Sequence, residues 1–323
     1  MPLDAPAVKR LARDCGFDLC GIAPAEPFPE LNRLTEWLAS GFAGDMAWMV
    51  RTADTRADPR LVLSSARSIV ALGTLYNTGR PYSTEIADAR QALISRYAWG
   101  EDYHLVIERR LDALAARMRQ AHGEAFEYRR YVDTGPVQER AVAARAGLGW
   151  VGRNACLINP EQGSWFFLSV VLCNVPLAPD APEVDHCGTC TLCLEACPTQ
   201  ALVAPGQLDA RRCLSYLTIE TRGDLDARWH AALGSHVYGC DICQEVCPFN
   251  QQAPVSADPA WQPRAAFDGV PLDELASRDD GQWREALRRS AMKRTGATRL
   301  RRNVAIAIAN LDARPGGGSG PGA

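Results

Sequence analysis

The sequence has little of what marks exported and membrane-bound proteins. Residues 1–18 contain no apolar core of the kind that a secretory signal needs, and no twin-arginine pattern. The longest apolar run, residues 165–173, is far too short to cross a bilayer. We therefore expect a cytoplasmic protein with no membrane segment.

An excess of positive charge is also missing. The chain has 35 Lys and Arg against 38 Asp and Glu, a net charge of −3, so its average charge does not indicate nucleic-acid binding. Hydrophobic residues make up 47% and charged residues 23%, which is typical of globular proteins and excludes a disordered chain. The length of 323 residues suggests about two domains.

Cysteine, in contrast, is abundant, with twelve residues. Disulfides are rare in the cytoplasm, so this number indicates metal or redox chemistry. Seven of the twelve fall in two runs of similar spacing, each ending in a Cys-Pro pair, and an eighth lies between the runs. The first run is Cys187, Cys190, Cys193 and Cys197, the second is Cys240, Cys243 and Cys247, and Cys213 lies between them.

This spacing is typical of two [4Fe–4S] clusters. Cysteines separated by two intervening residues bind one cluster, whereas the cysteine before proline binds the other cluster. The first cluster then takes Cys187, Cys190, Cys193 and Cys247, and the second takes Cys197, Cys213, Cys240 and Cys243. Structural zinc sites are the alternative, but zinc usually takes paired CxxC units, often with histidine. The remaining Cys15, Cys20, Cys156 and Cys173 are expected in the core, with Cys156 a candidate site residue because it follows the polar turn 152–154.

The pattern of the chain predicts a mixed α/β region over residues 1–175. Strand formers occupy residues 68–76, 126–132 and 164–175, and helical periodicity marks residues 7–15, 103–120 and 137–146. A proline-rich linker opens a cysteine-rich region at 176–255. A helical region at 256–312 and a glycine-rich tail at 313–323, expected to be disordered, complete the chain.

Five short motifs resemble those of the epoxyqueuosine reductases. Together with the cysteine runs, they are distributed over most of the chain. They are RADPR at 56–60, RYAWGEDYH at 96–104, YVDTGPVQERA at 131–141, AGLGWVGRN at 146–154 and CLSYLTIETRG at 213–223. The resemblance implies an α+β protein: a nitroreductase-like cobalamin-binding domain at 1–175, a ferredoxin-like domain at 176–255 and a partial HEAT-like repeat at 256–312.

The resemblance also implies an activity. Such enzymes reduce epoxyqueuosine to queuosine at the wobble position of tRNA, using cobalamin that receives electrons through two [4Fe–4S] clusters. It implies that Asp133 is the proton donor, and burial or nearby negative charge would have to raise its pKa for that role at neutral pH. We expect a monomer that takes electrons from an external ferredoxin- or flavodoxin-type donor.

Further contacts are predicted around the cofactor. The candidates are Arg56, Arg96, Asp133, Cys156, Ser215 and Asp241. Asp102 and His104 form an Asp-x-His pair, but Ile107 stands where a cobalt-binding Asp-x-His-x-x-Gly motif would have glycine. His104 is therefore expected to orient its surroundings rather than to bind cobalt.

A local excess of positive charge lies near the end of the chain. Residues 284–302 hold eight Lys and Arg against Glu285 alone, and clustered cations are the main source of RNA affinity. The helical repeat stops after about one unit, near Leu311. The candidate tRNA contacts are Arg222, Arg288, Arg289, Lys293, Arg294, Arg299, Arg301 and Arg302.

Two other functions fit parts of the sequence. A reductive dehalogenase-like corrinoid enzyme would share cobalamin and two clusters, but it would need neither the basic region nor a cytoplasmic location. A ferredoxin-type electron carrier would need only the cysteine-rich region, and not about 175 further residues holding Asp133. Both alternatives fit less of the sequence than the tRNA-modifying enzyme does.

Overall fold

The computed structural model describes residues 3–313, so the predicted tail lies outside the described residues except for Ala313. The strands are β1 Leu19–Pro24, β2 Ser68–Leu75, β3 Leu93–Ile94, β4 Tyr128–Tyr131, β5 Trp150–Val151, β6 Leu157–Ile158, β7 Phe166–Cys173, β8 Leu202–Ala204, β9 Gln207–Leu208 and β10 His236–Tyr238.

The helices are short except for two. They are α1 Ala5–Asp14, α2 Arg33–Ala39, α3 Ala47–Arg51, α4 Ala53–Ala57, α5 Tyr103–His122, α6 Glu139–Arg145, α7 Leu192–Glu195, α8 Leu214–Ile219, α9 His230–Leu233, α10 Ile242–Glu245, α11 Leu272–Ser277, α12 Asp280–Leu287 and α13 Gly296–Asp312. None of the described helices is long and apolar enough to cross a membrane.

A four-stranded antiparallel sheet with the order β1-β2-β7-β4 forms the centre of the N-terminal region. Its two inner strands are continuous apolar runs, and Val70 of β2 pairs with Ile22 on one side and Val171 on the other. Such runs are expected where both faces of a sheet are covered. The short strand β4 is an edge, and its last residue, Tyr131, leads into Asp133.

Helices cover both faces of this sheet. Alternate side chains of a strand point to opposite faces, so Val70 and Leu72 pack with α1 and α5, whereas Ile69 and Ala71 pack with α6. The apolar stripe predicted for α5 is buried at Ile107, Leu111, Leu114 and Met118. The sheet and α5 thereby fix both sides of the Asp133 loop, which runs from β4 to α6.

The cysteine-rich region is joined to the N-terminal region by main-chain pairing. Strand β10 pairs in parallel with β3, with His236 opposite Leu93 and Tyr238 opposite Ile94. One hydrophobic core includes residues 92–98, α8 and the buried side chains of α11 to α13. The C-terminal helices therefore pack under the cysteine-rich region.

Most predicted elements are confirmed, with shifted ends. The strands predicted at 68–76 and 164–175 are β2 and β7, and the helix predicted at 103–120 is α5. Within the helical region predicted at 256–312, α12 and α13 are separate helices. Arg289 between them has a φ of 56°, a left-handed conformation that ends a helix, and a short 3-10 turn follows.

Candidate functional site

The Asp133 loop presents a carboxylate at an open face of the protein. Asp133 has a φ of 59°, a conformation that non-glycine residues seldom adopt, and its side chain is 49% exposed. The backbone N–H of Asp133 donates to Glu139 Oε1 at 2.9 Å. The loop is thus closed onto the first turn of α6, with the carboxylate accessible from solvent.

His104 links Asp133 to a second carboxylate. Its Nε2 lies 3.3 Å from Asp133 Oδ2, and its Nδ1 lies 2.8 Å from Asp102 Oδ1. Asp102 caps α5, since its side chain also accepts the backbone N–H of His104. The ring of Tyr103 stacks on the His104 ring, with centroids 4.0 Å apart. The chain Asp102–His104–Asp133 is therefore fixed by the start of one helix.

The pKa values of the hydrogen-bonded side chains Asp102, His104 and Asp133 differ from what we expected for Asp133. Burial alone would raise the pKa of Asp133, but hydrogen bonds from His104 and Tyr103 and the charge of His104 hold it below its ordinary value. Burial alone would lower the pKa of His104, but Asp102 and Asp133 together raise it to about 9. The expected rise in the pKa of Asp133 is therefore wrong for this conformation, and the proton resides on His104.

Glu139 and Arg56 lie beneath the loop. Burial, with the charge of Asp133, raises the pKa of Glu139 well above its usual value. Arg56 is buried and donates from Nη1 to the carbonyl of Val137 at 2.8 Å, and burial lowers its pKa. The structure thus places Arg56 under the loop, where it fixes the main chain that leads into α6.

The predicted ligand thiols of the first cluster lie together. Burial raises the pKa of Cys193 to about 11, and the neighbouring thiols of Cys247, Cys187 and Cys190 contribute to the rise. Cys187 and Cys247 also pack in one small apolar cluster around Trp150. Cys247 comes from the other run, as the crossed spacing rule requires.

The remaining four thiols form the second set. Burial raises the pKa of Cys213, with a contribution from Cys197, and burial raises that of Cys240, with a contribution from Cys213. Cys240 and Cys213 likewise add to the raised pKa of Cys243. The structure thus brings together each predicted set, and their role as ligands stays a prediction.

The thiols are not arranged for single metal ions. Zinc–sulfur bonds of about 2.3 Å would hold the sulfurs of a zinc site about 3.8 Å apart. Within residues 3–313, no three His, Cys, Asp or Glu side chains converge closely enough to hold one ion.

Three further candidates surround the second set. Cys156 shares a hydrogen bond with Cys243, which lowers the pKa of Cys156. The hydroxyl of Ser215 hydrogen-bonds the Cys213 thiol. Burial raises the pKa of Asp241 to about 6, and its carboxylate accepts from the Ser95 hydroxyl at 2.5 Å and the Arg96 N–H at 2.6 Å. Cys156 and Ser215 thus lie against thiols of the second set, Asp241 is bonded to residues 95 and 96, and the cofactor contacts expected of all three stay predictions.

Arg96 lies in the interior. It is 2% exposed, and its guanidinium donates to both oxygens of Thr78 and to the carbonyls of Arg80 and Pro81. It also lies over the ring of Trp99, 4.6 Å from the centroid. Its guanidinium is thus engaged within the fold, and its role as a cofactor contact stays a prediction.

The basic candidates divide into engaged and unengaged cations. Arg302 donates to the carbonyls of Leu217, Thr221 and Gly223, which fixes α13 to α8 and to the segment after it. The others that are engaged are Arg288 with Glu285, Arg289 with Glu101, Arg294 with Glu220, Arg301 with Asp280, and Arg299 with the carbonyls of Thr295, Glu220 and Arg294. In the part of the chain that the structure describes, Lys293 and Arg222 have neither an ion pair nor a side-chain hydrogen bond.

Two cations of the basic region, Arg294 and Lys293, act electrostatically on the carboxylates of the Asp133 site. The charge of Arg294 contributes to the lowered pKa of Asp133, and the charge of Lys293 contributes to the lowered pKa of Asp102. In both cases burial opposes the shift and the histidine dominates it. The basic region therefore borders the exposed carboxylate. The sequence did not single out Glu139, because its contact with Asp133 depends on how the loop folds back.

Two family models match the chain. Residues 56–134 match "Epoxyqueuosine reductase QueG, DUF1730", and residues 186–250 match "4Fe-4S double cluster binding domain". The second match contains all eight cysteines of the two sets. The first match ends one residue after Asp133.

Curated relatives are similar over nearly the whole chain. The epoxyqueuosine reductase of Xanthomonas campestris pv. campestris is 41% identical over 314 residues, which cover 96% of this chain and 88% of the relative. That of Synechocystis sp. is 44% identical over 289 residues, which cover 88% and 98%.

Solved structures are also similar. An epoxyqueuosine reductase bound to an epoxyqueuosine-modified tRNA-Tyr stem loop superimposes with a TM-score of 0.85 at 34% identity, covering 95% of this chain and 82% of that one. The Bacillus subtilis enzyme, with its catalytic aspartate loop swung out of the active site, gives 0.86 at 33% identity over the same shares. The sequence similarity, the double-cluster region and the fold agree: this chain belongs to the epoxyqueuosine reductases.

Proposed function

We propose that this protein reduces epoxyqueuosine to queuosine at the wobble position of tRNA. The observation that carries the proposal is the half-exposed Asp133 carboxylate, 3.3 Å from His104 Nε2, at an open, basic-rimmed face. Family membership supplies the reaction, and this pair supplies its acid. Removal of the epoxide oxygen takes two electrons and two protons, forming a carbon–carbon double bond and releasing water.

Eight thiols would hold two [4Fe–4S] clusters. Cys187, Cys190, Cys193 and Cys247 would bind the first, and Cys197, Cys213, Cys240 and Cys243 the second. Such clusters pass single electrons. Trp150 at the first set, with Cys156 and Ser215 at the second, would donate hydrogen bonds to ligand sulfurs. A reduced external carrier of the ferredoxin or flavodoxin type would supply the electrons.

The open face fits a large, partly apolar cofactor such as cobalamin. Trp48 and Leu105 are large apolar side chains that remain exposed beside Arg56 and His104, and such side chains are typical of a binding surface. When bound, cobalamin would supply a strongly reduced cobalt that delivers electrons to the epoxide. Asp133, Ser215 and Asp241 are the residues that we assign to its surroundings.

We propose that the proton path runs through His104 and Asp133. The raised pKa of His104 keeps a proton on its ring at neutral pH. That proton passes from Nε2 to Asp133 Oδ2, and Asp133 delivers it to the substrate oxygen as general acid. Because the pKa of Asp133 is lowered in this conformation, Asp133 would carry the proton only while it passes from His104 to the substrate oxygen. The movable loop of the Bacillus subtilis relative is the counterpart that we propose for the Asp133 loop.

The tRNA would lie across the basic border of the site. Lys293 and Arg222 are the cations best placed to bind phosphates, because their charges are not used within the described fold. Arg294 would contribute its charge beside Asp133 while paired with Glu220. The structure of a relative with a tRNA stem loop supports this class of substrate.

Further assignments belong to the same proposal. We propose a nitroreductase-like fold for residues 1–175, a ferredoxin-like arrangement for 176–255 and a partial HEAT-like repeat for 256–312. We also propose that the protein acts as a monomer in the cytoplasm. The buried side chains of α11 to α13 share a hydrophobic core with α8 of the cysteine-rich region. We therefore propose that this last segment stabilises the cysteine-rich region.

Mass analysis of tRNA nucleosides tests the activity. Oxygen-free protein loaded with cobalamin and reduced with dithionite should convert epoxyqueuosine in tRNA to queuosine. Asp133→Asn should retain its iron and cobalamin but lose at least about 100-fold in rate, the usual contribution of a general acid. Asp112→Asn, which removes a surface carboxylate paired with Arg130, is the matched control. Protein that binds iron but never cobalamin, and never forms queuosine, would instead indicate an electron carrier.

A further inference from the structure

The backbone of the Asp133 loop is held by one side chain. Within residues 3–313, the hydrogen bond of the Asp133 N–H goes to Glu139 Oε1, at 2.9 Å. His104 and Tyr103 contact the carboxylate of Asp133 instead. The loop therefore has separate contacts for its main chain and for its acid.

The loop needs such a contact because its conformation is costly. The φ of 59° at Asp133 lies in the left-handed region, which side-chain-bearing residues occupy only when their surroundings compensate. The rest of the loop is tight: Thr134 donates to the Val132 carbonyl at 2.6 Å, and a Cβ on Gly135 would lie 2.2 Å from Tyr131 Cγ. Loss of the contact at the N–H would favour release of the strained residue.

The other end of the contact is rigid. Glu139 is the first residue of α6, and the preceding residues are pinned from α4: Arg56 Nη1 donates to the Val137 carbonyl, and Gln138 Nε2 donates to the Arg56 carbonyl at 3.0 Å. The position of Glu139 is thus fixed by these hydrogen bonds. The Asp133 loop is bonded to Glu139 through the backbone N–H of Asp133.

We propose that Glu139 is a positioning residue that latches the Asp133 loop in its closed conformation. This inference rests on the proposed function, because it assigns Glu139 to the placing of that reaction's acid. With the latch closed, Asp133 Oδ2 stays within reach of His104 Nε2. With the latch open, Asp133 leaves both His104 and the substrate face.

The charges around Glu139 are consistent with a neutral latch. Its pKa is raised well above the usual value by burial and by Asp133, while Arg56 and His104 act in the opposite direction. A neutral carboxyl accepts the Asp133 N–H through its carbonyl oxygen and adds no second negative charge beside Asp133. Glutamine has the same reach and the same acceptor, so it should replace Glu139 in this role.

Hydrogen exchange and turnover together test the latch. In Glu139→Ala, the amides of residues 132–136 should exchange about tenfold faster, since one hydrogen bond is worth about that factor. With dithionite as reductant, kcat should fall about tenfold while KM for tRNA stays within twofold. Glu139→Gln should restore both quantities, and Glu108→Ala, which removes an exposed carboxylate on α5, should change neither.

Two results would overturn the proposal. One is unchanged exchange at 132–136 in Glu139→Ala, and the other is equal loss in Glu139→Ala and Glu139→Gln. Iron content and far-ultraviolet circular dichroism identify any variant that fails to fold, and in that case Glu139→Gln is compared with the parent protein by exchange alone. The exchange measurement needs no substrate, so a failure of the proposed activity remains distinguishable from a failure of the latch.

Discussion

The indole N–H of Trp150 donates to Cys187 Sγ across 3.3 Å. Trp150 is buried on the short strand β5, and its ring packs against Phe249 beside Cys247. A residue of the N-terminal region thereby touches a proposed ligand of the first cluster. Hydrogen bonds to ligand sulfurs are among the factors that set the potential of an iron–sulfur cluster.

Trp150→Phe should therefore lower the reduction potential of one of the two clusters. The hydrogen bond stabilises the more negative, reduced state, and its loss, worth about 0.5–1.5 kcal/mol, corresponds to about 20–60 mV. Redox titration followed by electron paramagnetic resonance measures the change. Trp48→Phe is the control on an exposed tryptophan, and equal potentials in all three proteins would contradict a role for the indole.

The thiol sets predict a specific iron content. Protein purified without oxygen should contain about eight irons per chain, four for each cluster. Cys213→Ala should lose the second cluster and retain about four, because Cys213 belongs to that set alone. Cys173→Ala, which removes a buried thiol outside both sets, should retain all eight. Zinc in stoichiometric amounts in the parent protein would defeat the assignment.

The two thiol sets could be predicted from the sequence because ligand spacing is a local property, and their role as cluster ligands stays a prediction. The two Cys-Pro runs determine which thiol crosses to the other set, and the fold needs only to bring the runs together. Strands β2 and β7 were equally predictable, since both are continuous apolar runs buried on both faces. In these cases the pattern and the packing depend on the same few residues.

The environment of Asp133 was not predictable in this way. Its pKa is set by His104, which lies 29 positions away in the sequence and reaches Asp133 only through the docking of α5 on the sheet. The role of Arg302 was hidden for the same reason. Its positive charge suggested RNA binding, but its partners are carbonyls of residues 217–223, about 80 positions earlier. Properties that depend on distant partners require the fold.

The raised pKa of His104 predicts a pH limit on turnover. His104 carries its proton below a pKa of about 9 and loses it above, so the rate should fall as pH rises through about 9. The groups that face it are Asp102, Asp133 and Tyr103, with Lys293 and Arg294 acting on the two carboxylates. His104→Gln should be slower at pH 7 and should lack this alkaline limb.

The same shift predicts how stability depends on pH. The folded pKa of His104 exceeds its ordinary value of 6.5, so the stabilisation is complete below pH 6.5 and is lost as pH rises towards about 9. Below pH 6.5, chemical denaturation should give the parent protein a higher free energy of unfolding than His104→Gln. This difference should shrink as the pH rises towards about 9. His122→Gln, at the exposed end of α5, is the control, and a parallel pH dependence in all three proteins would rule out the Asp102–His104–Asp133 chain.

The division of the basic region predicts two kinds of variant. Lys293→Glu should weaken tRNA binding several-fold and reduce the slope of log affinity against log salt, because an accessible cation releases counterions from RNA when it binds a phosphate. Arg302→Ala should mainly lower the free energy of unfolding, because it leaves three carbonyls of α8 and the segment after it without their donor. Arg288→Glu, at a cation already paired with Glu285, should have the smaller effect on binding. Filter binding at several salt concentrations measures the affinity for tRNA, and denaturant titration measures the free energy of unfolding. Equal loss of affinity in Lys293→Glu and Arg288→Glu would show that accessible and paired cations contribute alike.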